Sequence, residues 1–173
     1  MKRVLFLLGQ LNDLDIEWMI NNGHKASVKA GDVLIHRDEE IENLYIVLAG
    51  QLSIRDGITN INEIATVGAG EILGEMSFLE TRPPSVSVMA TVPCEVYAIS
   101  RTLIAERMQL DIQFRANFYY ALALFLSNRL RKTTDQLGYG IPEEADLIDH
   151  NILEGVAQAG ARFDQILKKF AEV

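Results

Sequence analysis

The sequence predicts an α+β fold: an antiparallel β-roll, a jelly-roll-like double-stranded β-helix, flanked by an N-terminal helix and long C-terminal helices. Three observations predict it. Between residues 25 and 100, short apolar runs alternate with clusters of turn-forming residues, as in a closed or sandwiched antiparallel sheet. On both sides of this region the apolar residues take up helical spacing. Inside it, Gly70 to Ala90 (GEILGEMSFLETRPPSVSVMA) reads as a strand, a glycine-acid turn, one short helix and a second strand.

The chain divides into a helical lead-in (1–24), the roll (25–100), long helices (101–138) and an amphipathic tail (141–173). In the lead-in, Val4 to Asn22 places Leu7, Leu11, Leu14, Ile16, Met19 and Ile20 on one buried face, with Trp18 as a packing anchor. Asn22-Gly23 stops that helix. The strands follow as Val33 to His36, Leu44 to Leu48, Leu52 to Arg55, Ile64 to Val67, Ser85 to Ala90 and Glu95 to Ile99. Turn signals separate them at Ala30-Gly31-Asp32, Arg37 to Glu40, Ala49-Gly50, Asp56-Gly57 and Gly68-Ala69-Gly70.

Helix returns from Arg101 to about Leu137 and is apolar on two sides. Phe114, Phe118, Ala121 and Phe125 form one stripe; Tyr119, Leu122, Leu126, Leu130 and Leu137 form another. A helix apolar on two sides must be covered on two sides, so one stripe packs on the roll and the other calls for a partner, most simply a second copy of the 112–137 helix. Gly138-Tyr139-Gly140-Ile141-Pro142 breaks the helix. Beyond it, Ile152, Leu153, Val156, Phe163, Ile166, Leu167 and Phe170 trace another amphipathic face.

Composition narrows the function classes. A chain of 173 residues, 49% apolar, buries one good core of about 100–150 residues with helical appendages. The net charge of −8, and a tail with seven acids against three bases, argue against DNA binding, which needs clustered Lys and Arg. Cys94 is the only cysteine, which excludes an intramolecular disulfide and predicts a buried structural thiol. His24, His36 and His150 have no metal-binding spacing, and Ser77, Ser85 and Ser87 have no companion histidine. A catalytic role is therefore not expected. No stretch approaches the roughly 20 apolar residues of a membrane span, and the expected setting is the cytoplasm.

Gly74 accepts a positive φ at little cost and lets backbone approach a ligand. Glu75, Met76 and Ser77 then open a helical turn whose unpaired N–H groups favour an anionic oxygen. The acceptor-only carboxylate of Glu75 suits a sugar hydroxyl beside it. Taken alone, the same residues would equally close a β-roll, with Arg82 a solvated surface charge.

At these residues the chain resembles the cyclic nucleotide-binding domain family, whose phosphate-binding cassette runs Gly-Glu, a short helix, an Arg, small residues and a valine strand. Gly74, Glu75, Ser77, Ser85, Ser87 and Val88 fall on that pattern, and Asn43 to Gly50 resembles the family's central strand pair. One position departs: four residues before the strand valine, where the family has its phosphate-binding Arg, stands Pro84, and the nearest arginine is Arg82, whose long stem and planar fork make it the candidate to reach back over the short helix to the phosphate. The resemblance implies a cyclic AMP or cyclic GMP ligand, with phosphate on the Gly74 to Ser77 amides and on Ser85 or Ser87, and ribose on Glu75. It also implies a homodimer through the long helix, whose Asn128, Arg129, Arg131, Lys132, Thr133 and Thr134 approach the base. The missing Arg should weaken binding, since a hydrogen bond to a charged group is worth roughly 1.5–3 kcal/mol, or about one to two powers of ten. The alternative is a degenerate roll that binds no nucleotide and serves as a dimerisation or protein-docking module.

Overall fold

The structure, a computed structural model, describes residues 10–56, 62–80, 82–136 and 168–169. Helix α1 (Asp13–Asn21) is followed by β1 (Gly23–Val28), β2 (Val33–Ile35), β3 (Asn43–Ala49), β4 (Gln51–Asp56), β5 (Asn62–Gly68) and β6 (Ile72–Leu73). A short helix α2 (Glu75–Glu80) leads to β7 (Ser87–Ala90), β8 (Cys94–Ser100) and the helices α3 (Arg101–Leu110) and α4 (Ile112–Gln136). The strands form two four-stranded sheets, ordered β1-β8-β3-β6 and β2-β7-β4-β5, in which every pair is antiparallel. This is the antiparallel β-roll with flanking helices that the sequence predicts.

Strand parity builds two cores from one sheet. Leu44 and Ile46 of β3, Ile72 of β6, and Tyr97 and Ile99 of β8 face the helices, where they meet Met19, Ile104, Phe114 and Phe118. Val47, Leu73, Val96 and Cys94 face the roll interior and meet Leu52, Val67 and Val88 from the second sheet. Each such side chain, once buried, stabilises the fold by about 1.5–3 kcal/mol. Cys94 is buried there, its sulfur within 3.3 Å of the Gln51 carbonyl. Tyr97 donates its hydroxyl proton to the Ile20 carbonyl and so ties α1 to β8.

Several elements differ from the expectations, each for a local reason. The first helix starts anew at Asp13, because Asn12 caps it: its side chain accepts the Asp15 N–H at 2.8 Å while Asp15 accepts the Asn12 N–H at 3.2 Å. That restart resets the helical frame, leaving Leu14 exposed while Leu11, Ile16, Met19 and Ile20 are buried. Trp18 packs edge-on against Phe114, centroids 5.6 Å apart. The strand β1 was not predicted; it pairs with β8 along its whole length. The C-terminal helical run is broken at Asp111, whose extended backbone (φ −130°, ψ 102°) ends α3 and whose side chain accepts the Phe114 N–H at the head of α4. The expected helical positions Val4 to Gly9, including Leu7, lie outside the described residues, as do Gly57, Leu137 and the amphipathic face from Ile152 to Leu167 with Phe170.

On α4 the Phe114, Phe118, Ala121 and Phe125 stripe is fully buried. The other stripe is split. Leu122 joins the buried side and Leu126 packs partly against it, whereas Tyr119 and Leu130 are exposed, together with Ile112 and Tyr120. Among the described residues no helix is long and apolar enough to cross a membrane.

Candidate functional site

A cavity of about 770 Å³ opens where β5, the β6–α2 turn, the α2–β7 connection and the C-terminal third of α4 converge. Gly74 makes the turn. Its φ of +88° is one that other residues adopt only under strain, and a Cβ there would stand 3.0 Å from the Asn43 carbonyl oxygen. The Gly74 carbonyl then accepts the Phe78 N–H at 3.0 Å, the first bond of α2.

Two contacts fasten α2 to the helices that follow the roll. Phe78 meets Phe118 of α4 edge-on, with centroids 5.7 Å apart. Arg101, the first residue of α3, donates from Nη2 to the Ser77 carbonyl at 2.7 Å and from Nη1 to the Ile41 carbonyl at 2.6 Å. Its backbone N–H reaches the Glu42 carbonyl. Arg101 thereby clamps the glycine-acid segment to the β2–β3 connection, a role that sequence reasoning missed. Nothing in a lone arginine after a strand announces two carbonyl partners so distant in the chain.

Glu75 is buried at 2% exposure and forms an ion pair with Arg129 of α4, whose Nη1 donates to its Oε1. Burial pushes the Glu75 carboxyl above its ordinary value, against the lowering pull of the Arg129 guanidinium. The arginine fork is itself held over the Phe125 ring, 5.6 Å from its centroid.

The structure brings most of the predicted residues to one place. Gly74, Glu75, Met76, Ser77, Arg82 and Ser85 line the cavity, as does Pro84. Arg82 and Ser85 are exposed at its rim. Ser87 does not line it: the hydroxyl, buried on the other face of β7, accepts the Arg37 N–H at 3.1 Å. Val86 and Val88, of opposite parity, face inward, and that alternation was the available signal. Of the α4 residues expected near a base, Arg129 and Thr133 line the cavity. The hydroxyls of Thr133 and Thr134 donate one turn back, to the Arg129 and Leu130 carbonyls. Asn128 and Arg131 are exposed, and the Lys132 side chain lies outside the described residues. The lining mixes apolar side chains, among them Ile54, Ile64 and Val67, with charged ones, Glu63, Glu75, Glu80, Arg82 and Arg129, so the cavity suits a ligand with an apolar ring and polar groups.

A family model described as the cyclic nucleotide-binding domain matches residues 25–111. The chain is 30% identical over 141 residues to the lysophospholipase NTE1 of Chaetomium globosum, an alignment that covers 78% of this chain and 8% of that protein. It is 26% identical to the cAMP-dependent protein kinase regulatory subunit of Yarrowia lipolytica, covering 56% of this chain and 25% of that one. The chain thus spans a quarter or less of the length of these relatives. A crystal structure of a cyclic nucleotide-binding domain from Methylobacillus flagellatus KT superposes with a TM-score of 0.70 at 21% identity, covering 82% of this chain and 85% of the other. By the family match, this chain belongs to the cyclic nucleotide-binding domain family.

Proposed function

We propose that this cyclic nucleotide-binding domain is a sensor module that takes cyclic AMP or cyclic GMP into the cavity beneath α2 and α4. In this reading the phosphate lies at the Gly74 to Ser77 turn near Ser85, a ribose hydroxyl bonds Glu75, and the base lies along the apolar wall toward Thr133. The observation that carries the reading is the convergence of the glycine-acid turn, the buried Glu75 and two α4 side chains on one cavity. Binding acts on α4, because α2 touches that helix through Phe78 and Glu75, and a ligand moves a helix only by binding its two positions unequally. The module is regulatory rather than catalytic and works in the cytoplasm. It pairs with a second copy through the exposed face of α4, where Ile112, Tyr119 and Leu130 are unburied.

A second reading is supported by Pro84 and by the engagement of Glu75 with Arg129: a roll that binds no nucleotide and docks a protein partner. Melting curves separate the two. Millimolar cyclic AMP or cyclic GMP raises the melting temperature if either binds the native form, as any native-state ligand must. An unchanged melting temperature with both nucleotides leaves the docking reading.

A further inference from the structure

The position where the family carries its phosphate-binding arginine holds Pro84, yet the cavity has a sheltered guanidinium from elsewhere in the chain. We infer that Arg129 is the anion-binding cation of this pocket, delivered by α4 in place of the cassette arginine; the inference rests on the cyclic-nucleotide reading above. Two cationic side chains line the cavity among the described residues, Arg82 and Arg129. They are not equivalent. Arg82 is exposed at the rim, where solvent screens its attraction for an anion. The Arg129 side chain is 22% exposed, rests on Phe125 and stands beside the Gly74-Glu75 turn.

The charge balance of the cavity points the same way. Glu63, Glu75 and Glu80 all line it, so without Arg129 a phosphodiester would meet three carboxylates and one solvated arginine. Arg129 neutralises the most buried of the three. Its guanidinium carries five N–H donors in a planar fork, and Nη1 is the atom that engages Glu75. The fork can therefore keep the carboxylate and still present donors to an anionic oxygen, a geometry that suits phosphate. Recognition of the charge then lies on α4 instead of the roll, so the phosphate itself acts on that helix.

The test compares ligands that differ in charge. The whole chain is titrated with cyclic AMP or cyclic GMP, whichever the wild type binds more tightly, and with the matching uncharged nucleoside. Arg129→Gln weakens the cyclic nucleotide by about ten- to hundredfold and leaves the nucleoside nearly unchanged, because a charge-assisted hydrogen bond is lost. Arg82→Gln changes either ligand by less than about fivefold. Adding Pro84→Arg to Arg129→Gln restores the preference for the charged ligand. If Arg129→Gln does not fold, Arg129→Lys serves: it keeps the charge, loses the fork and lowers only the cyclic-nucleotide affinity. Equal loss of both ligands assigns Arg129 a purely structural role and overturns the inference, as does an undiminished preference in Arg129→Gln or a loss confined to Arg82→Gln. A wild type that binds neither cyclic nucleotide ends the nucleotide reading and this inference with it.

Discussion

Glu75 is where sequence and site chemistry meet most closely. Its place after a glycine turn marks it as a candidate site residue, and the structure adds the cavity, burial and Arg129. Because burial outweighs the cation, the folded carboxyl binds a proton more readily than the unfolded one, whose ordinary value is 4.5. The stability that the protonated form contributes is complete below that value and is lost as pH rises through the higher folded value. Glu75→Gln should therefore gain in melting temperature relative to wild type as pH is raised from below 4.5 toward neutrality. The opposite trend across that range would show that the Arg129 pair outweighs desolvation. Gly74 and Glu75 were legible because local backbone chemistry dictates them. Ser87 was chosen by residue type without strand parity, which turns its hydroxyl to the Arg37 N–H, and Arg129 was placed on the helix face near a base with no sign that it reaches Glu75.

At the level of elements, the strongly apolar strands were legible to within two residues. The strand β1 was not, since Gly23 to Val28 has a single large apolar residue and owes its conformation to its partner β8. The break at Asp111 was hidden because apolar residues continue on both sides of it. The two-sided character of α4 was visible, but which residues lie on which side was not: Leu122 is drawn into the core, Leu126 is half-buried at its border, and the outward face runs through Ile112, Ala116, Tyr119, Ala123 and Leu130. With Leu126 these positions alternate in steps of four and three, a spacing that suits pairing with another helix. The proposed pairing predicts that Leu130→Asp turns a dimer into a monomer in sedimentation while leaving the fold intact, since Leu130 is 68% exposed. A mass unchanged by that substitution would remove this helix face as the contact.

Across the whole molecule, the sheet that carries β3, β6 and β8 divides two cores, one shared with the helices and one inside the roll. The cavity lies where α4 crosses from the first core to the mouth of the roll, so α4 both closes the site and leads away from it. Two contacts couple them, Phe78 with Phe118 and Glu75 with Arg129, each between residues far apart in sequence. Such long-range pairs leave no periodicity to read, which is why the roll could be read from sequence and its coupling to α4 could not. The central claim is that this chain holds a cyclic nucleotide despite Pro84, and calorimetric titration of the whole chain with cyclic AMP and cyclic GMP tests it most directly. The account predicts saturable binding of at least one of them at a single site per chain, abolished by Glu75→Ala. The absence of binding heat for both, across the millimolar range and at more than one temperature, would contradict it.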